Sequence, residues 1–228
     1  MDPAIRVRID DVGSSGKEFE RSVLRRGWAP YPELSPETWR QVLAFAEAKG
    51  VRLTVAVTAC WVDWNSKLVP FSPMFPAPAR LLRDAVRRGI VEIANHGLTH
   101  CQVGSHLPRW VRSNRASWRE FTSQLPAAEH YRHLVRAQET LSRTFGVRPE
   151  VLVAPGGMLR PETVCAAHTL GLRILPDSAW DLVIHDRDIA LDAERTFRVI
   201  SALARTCGTV TRHQTPRLPP VGVALVAP

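Results

Sequence analysis

Residues 5–13, IRVRIDDVG, decide how the rest of the chain is read. Ile5 to Ile9 is a short β-branched run, and it stops at Asp10-Asp11-Val12-Gly13. That pattern reads as a buried strand entering a loop. No glycine-rich phosphate fingerprint follows it, so a dinucleotide-binding open sheet is not the expectation.

Outward from this strand, helix and strand signals alternate. Ser35 is a predicted N-cap, with Pro36 at the first helical position and Glu37 in the first turn. Trp39, Val42, Leu43 and Ala46 then fall on one face, and Gly50 stops the helix. LTVAVTA at 53–59 is a second strand. Leu81, Leu82, Ala85 and Val86 stripe a helix that ends at Gly89, and residues 90–94 form a third strand arriving at Asn95-His96. Tyr131, Leu134, Val135 and Leu141, with Gly146 as terminator, mark another helix. A strand at 150–153 leads into Ala154-Pro155-Gly156-Gly157, and Pro161-Glu162 opens a helix running to Gly171. Strands are predicted at 172–175 and at 182–184, the latter ending at His185-Asp186. A last helix covers 192–205, and 208–211 reads as a final strand. Six or seven βα units predict a parallel α/β architecture, a closed or nearly closed barrel.

Residues 101–128 lack clean periodicity and read as an insertion of the functional kind. The expected organisation is one domain over 1–212, followed by a Pro-rich tail over 213–228. The formal charge is +8. The arginines that carry it are dispersed among acidic and apolar residues, as on solvated helix faces, which argues against nucleic-acid binding and suits an anionic small substrate. Cys60, Cys101, Cys165 and Cys207 are far apart and form no CxxC pair, so free thiols in a reducing, cytoplasmic setting are expected. No apolar run reaches the length of a membrane span.

The ionisable residues that stand out all fall at the carboxyl ends of predicted strands: Asp10 and Asp11, His96, Asp177 and His185. In α/β barrels that face builds the active site. His96-Gly-Leu-Thr-His100 places two imidazoles on one side of a helical turn, where both reach one cation; a surface or capping pair is the plain alternative. Asp11 would complete a two-His, one-carboxylate set with positions left open for water and substrate. Adjacent residues at a strand end point in different directions, so one Asp can bind metal while the other faces water as a base.

The segments IDDVG, HGLTH, APGG, DSAWD and VIHD follow one another in this order over about residues 5–211. In this the chain resembles the polysaccharide deacetylases, the NodB-homology group also known as carbohydrate esterase family four. The resemblance implies a distorted (β/α)7 barrel and removal of an N-acetyl or other acyl group from an amino sugar; arginines on the insertion could meet the phosphates of a nucleotide- or lipid-linked sugar, which suits a cytoplasmic enzyme. It makes Asp10 the base, Asp11, His96 and His100 the ligands of a divalent metal, with zinc expected, and His185 the general acid. Asp177, or else Asp181, would orient His185. Pro155 and Gly156 of the third motif, with Trp61, Trp64 and Trp180 as stacking surfaces, would meet the sugar. One departure stands out. The family has an Arg two residues before the third-motif proline, holding the base; here Val153 occupies that place, and Arg160 is the expected substitute. The readings set against this one are a metal-independent amidohydrolase of the same superfamily, a barrel glycosidase and a non-catalytic carbohydrate-binding barrel.

Overall fold

The structure is a computed structural model that describes residues 5–15, 31–63, 67–101 and 119–210, the last five of them as backbone only. Strand β1 (Ile5–Val12) is followed by α1 (Pro36–Lys49) and β2 (Val51–Val57). Ser35 caps α1 by accepting the N–H of Thr38 at 3.0 Å, and Gly50 ends it at φ 63°, a left-handed conformation that glycine adopts without steric cost. A hairpin of β3 (Cys60–Val62) and β4 (Leu68–Pro70) comes next, then α2 (Phe71–Met74), α3 (Pro76–Arg87) and β5 (Val91–Asn95). The second half holds α4 (Ala127–Phe145), β6 (Val151–Leu152), α5 (Pro161–Thr169), β7 (Arg173–Ile174), β8 (Leu182–His185) and α6 (Asp186–Val210).

Six of these strands form one parallel sheet in the order β7-β6-β5-β2-β1-β8. It is the curled, incompletely closed barrel that the sequence predicts, with β1 between β2 and the edge strand β8. Two expectations are corrected. The second strand ends at Val57, because the N–H groups of Ala59 and Cys60 turn away to the carbonyls of Gly97 and Leu98 and start the separate hairpin. No strand begins at 208: α6 runs on to Val210, broken only by the extended backbone of Asp192. A glycine inside a helix costs only about 1 kcal/mol, too little to end one. Of the expected insertion over 101–128, residues 102–118 lie outside the described residues, while 119–126 form turns and bends and α4 starts at Ala127; Trp64 and the expected tail over 213–228 also lie outside the described residues.

Strand alternation sorts the core into two layers. Ile5, Val7 and Ile9 of β1 face the helices, packing with Trp39, Val42 and Leu43 of α1 and Leu82 of α3. Trp39 and Leu82 are completely buried. Burying each such side chain contributes on the order of 1.5–3 kcal/mol, so this layer fixes the sheet on its helical coat. The concave layer is smaller: Ala56, Ala94, Val151, Val153 and Trp180. Small side chains there leave space at the carboxyl end of the sheet, where the polar residues gather.

Candidate metal centre and active site

At the end of β1, Ile9 pairs with Val55 but Val12 pairs with Val57, so β1 carries one residue more than its neighbour. This is a β-bulge, a device that re-aims a side chain. Asp11 has φ 69°, a left-handed conformation uncommon for any residue with a Cβ. Asp10 therefore stays on the same face as Arg8, two residues back, while Asp11 turns toward the end of β5.

From β5 the chain passes through His96, whose N–H binds the carbonyl of Val57, into a turn over 97–100. His96 Nδ1 lies 2.7 Å from the Val153 carbonyl oxygen, which can only accept, so Nδ1 carries a proton and Nε2 is the nitrogen presented to Asp11. That Nε2 is 3.2 Å from Asp11 Oδ1, and Nε2 of His100 is 3.0 Å from the same oxygen. One ligand atom from each of the three lies within 4.8 Å of the others. Burial works to raise the pKa of Asp11, but the hydrogen bonds and charges of His100 and His96 outweigh it and hold the carboxyl well below its ordinary range. An ionised carboxylate and two imidazole nitrogens aimed at one point, one ring locked by a backbone acceptor, fit a divalent first-row metal.

Arg8 is 7% exposed, and its guanidinium grips Asp10 with both edges: Nε donates to Oδ1 and Nη2 to Oδ2, each at 2.9 Å. Its Nη1 donates to Asp177 at 2.9 Å, and its charged carbon lies 4.5 Å from the centre of the Trp180 ring. The cation that replaces an Arg at position 153 is thus Arg8, not Arg160. Arg160 precedes α5 and lies 3.9 Å from Glu162. Asp177 is correspondingly the partner of Arg8. The carboxylate beside His185 is Asp188, with Oδ2 3.9 Å from Nδ1.

Asp10, Asp11, His96, His100, Asp177 and His185 all line one cleft of about 560 Å³, with Arg8 at its floor. His185 is the register partner of Asp10 across β1 and β8. Leu159, Ile174, Leu175 and Val183 are among the apolar residues of the same lining. Gly156 lies on the lining, whereas Pro155 is buried and approaches Gly97 from behind. Of the tryptophans expected to meet the sugar, the two that are described, Trp61 and Trp180, are not on the lining. Trp61 is 5% exposed and packs edge-on against Phe75; Trp180 is 7% exposed and packs on Arg8.

A model of the family described as polysaccharide deacetylase matches residues 27–175, well over half of the chain. The chain belongs to the polysaccharide deacetylase family. It is therefore a hydrolase of the deacetylase class, as the motif order implies. Among solved structures, this deacetylase resembles a family 4 carbohydrate esterase from Streptomyces lividans in complex with acetate. Identity there is 15%, over 91% of this chain and 89% of the other, with a TM-score of 0.52. It also resembles the peptidoglycan deacetylase PdaC from Bacillus subtilis, at 14% identity over 90% and 87% of the two chains and a TM-score of 0.54. A pseudoenzyme of the same esterase family from Bacillus anthracis has 10% identity over 91% and 62%, with a TM-score of 0.53. At these identities the likeness is one of fold. No curated protein sequence matches the chain.

The site of this deacetylase holds residues that no motif singles out. Arg8 was reachable from the sequence, since residues two apart on a strand share a face. Glu120 was not. It is wholly buried, and it accepts the backbone N–H groups of Leu98, Thr99 and His100 together with a bond from His133 Nδ1. Tyr31 donates to Asp186 at 2.8 Å, a buried pair just behind His185, and burial followed by the charge of Asp186 pushes the Tyr31 hydroxyl far above its usual pKa.

Proposed function

We propose that this deacetylase releases an N-acetyl, or another acyl group, from an amino sugar, with a divalent cation held by Asp11, His96 and His100. The observation that carries the reading is the convergence of two imidazole nitrogens on one oxygen of buried Asp11, beside an Asp10 gripped at both oxygens. Zinc suits this ligand set. A cation held there would lower the pKa of water toward a hydroxide-like nucleophile and would polarise the acyl oxygen.

The chain's own residues handle the protons. Asp10 is the base. Each of its oxygens accepts one bond from Arg8 and keeps a further lone pair, so the carboxylate is fixed in orientation yet able to take a proton from the attacking water. His185, on the neighbouring strand, is the acid that protonates the leaving nitrogen. Asp188 lies beside the ring, and the His185 side chain is 43% exposed, so solvent can return the proton for the next turnover. Arg8 compensates the buried charge of Asp10, while its outer edge also meets Asp177, whose side chain is exposed to solvent.

A cleft of about 560 Å³ has the size of a small-molecule site, and the apolar lining residues Leu159, Ile174, Leu175 and Val183 can pack against a ring face or an acyl chain. The dispersed positive charge favours an anionic, nucleotide- or lipid-linked sugar. A reducing, cytoplasmic setting belongs to the same reading and is supported by Cys60 and Cys165, whose thiols are not in disulfides. Among the described residues no helix is long and apolar enough to cross a membrane.

The test is acetate release from N-acetylated monosaccharides, nucleotide sugars and oligosaccharides by the wild type and by Asp10→Asn. The expected result is release from at least one class, lost in the variant while its bound metal is retained. An Asp10→Asn protein as active as wild type contradicts the mechanism, and no release from any class supports a non-catalytic carbohydrate-binding barrel.

A further inference from the structure

The turn over 98–100 carries a metal-site ligand, yet its backbone is not one that the chain holds unaided. His100 has φ 60°, a left-handed conformation for a residue with a Cβ. The N–H groups of Leu98, Thr99 and His100 all point at one carboxylate, that of Glu120, at 3.1, 3.0 and 2.9 Å. Successive N–H groups converging in this way form a concavity that favours an anion, and charge-assisted bonds of this kind are roughly twice as strong as neutral ones.

Glu120 comes from outside the motif and is 0% exposed. Burying a carboxylate is costly unless it is paired. The pairing comes from His133 on α4, itself 3% exposed, whose Nδ1 is bonded to Glu120 Oε1. Burial works to raise the Glu120 pKa, but the His133 bond and charge and the backbone donors prevail and keep it ionised. A second observation ties this carboxylate to the motif. A Cβ at Gly97 would stand 2.3 Å from Glu120 Oε2 and 2.9 Å from Pro155 Cγ, and Gly97 has φ 79°. The second residue of HGLTH is glycine because Glu120 occupies the space beside it.

We propose that Glu120 and His133 are positioning residues of the metal centre: a buried charged clasp between α4 and the turn that sets where the His100 ring meets Asp11. The inference rests on the metal-binding reading of Asp11, His96 and His100. Glu120 is neither on the cleft lining nor among the three converging ligand residues; it holds the backbone from which one of them projects. Loss of such outer partners of a metal ligand weakens metal affinity by about 10–100-fold.

The experiment measures zinc affinity by chelator competition for wild type, Glu120→Gln, His133→Leu and His133→Asn, together with acetate release at low and at saturating zinc. Hydrogen exchange of the 98–100 amides is followed in the metal-free wild type. Glu120→Gln and His133→Leu are expected to bind zinc about 10–100-fold more weakly, with much of their activity returning at saturating zinc. His133→Asn, which keeps a side-chain N–H near the Nδ1 position, should remain close to wild type. The three wild-type amides should be strongly protected before metal is added. A folded Glu120→Gln with wild-type affinity overturns the inference, as do unprotected amides in the wild type. If Glu120→Gln does not fold, the two His133 variants decide: equal affinities for Leu and Asn overturn it. A wild type without zinc affinity overturns the metal reading itself, whereas wild-type binding with unchanged variants overturns this inference alone.

Discussion

Replacing Arg8 by Met tests the claim that the cation governing Asp10 comes from β1. The substitution keeps an unbranched apolar stem and removes the guanidinium. It deletes two 2.9 Å bonds to Asp10, one to Asp177 and the stacking on Trp180. The side chains of Arg8 and Asp10 are only 8% and 9% exposed, so Asp10 is left as a buried charge without its partner. Removing one member of a buried pair costs about 3–5 kcal/mol, which should appear as a clear fall in thermal stability. A carboxylate no longer held in line with its water loses about 100-fold in kcat. Arg8→Lys keeps the charge but not the two-edged grip, and about tenfold loss is expected. The assay is acetate release with kcat and KM separated, alongside metal content and thermal unfolding. The loss should fall on kcat, with metal content unchanged. Adding Val153→Arg to the Arg8→Met protein should recover part of kcat, because Val153 lines the same cleft. Arg8→Met with full kcat, or a loss explained wholly by missing metal, would refute the reasoning.

Three further outcomes are expected. Asp177 binds only the outer edge of Arg8 and its side chain is 82% exposed, so Asp177→Asn should reduce kcat by no more than a few-fold, about the scale of an exposed ion pair; a loss as large as that of Arg8→Met would contradict this placement. Burial holds the His130 imidazole below the ordinary histidine value of about 6.5, with Nε2 against the Leu125 carbonyl and Nδ1 against Thr163. A depressed folded pKa means that its contribution to stability is complete above the unfolded value and is lost as pH falls from about 6.5 through the folded one. NMR titration should give His130 a pKa below that of an unfolded-chain histidine, and His130→Gln should flatten the acid limb of the stability curve; a pKa raised above the ordinary value would sink the argument. Burial, with lesser charge effects, pushes the Cys60 thiol up to about 11, whereas Cys165 is exposed. Alkylation of the native protein at about pH 8 should label Cys165 and spare Cys60, and equal labelling would contradict the buried placement.

Much of this site is legible in the residues because a parallel sheet brings its strand ends together. Asp10, Asp11, His96 and His185 each follow a β-branched or apolar run, and in a parallel α/β fold such positions share one face. The caps at Ser35 and Gly50 are legible for a local reason, since the orphan N–H and C=O groups of a helix end call for these residue types. What escapes are partnerships set by distance rather than by spacing. Glu120 is bonded to backbone N–H groups and to a histidine on α4, and neither partner leaves a trace in composition or period. Asp177 follows a strand end as expected, but the side chain it meets is Arg8, 169 positions away. Trp61 and Trp180 read as stacking surfaces because aromatics near a site often are; their burial shows that packing claimed them. The bulge that turns Asp11 from Asp10 depends on the register between β1 and β2, which a single strand does not reveal.

The account stands on the metal set. The most direct measurement is the metal bound per chain, by elemental analysis after dialysis against dilute zinc, for wild type, Asp11→Asn and His100→Ala. The prediction is about one tightly held zinc per wild-type chain, with affinity falling sharply in both variants as a three-ligand site loses a ligand. A wild type that holds no metal, or variants that retain it with wild-type affinity, would contradict the central claim.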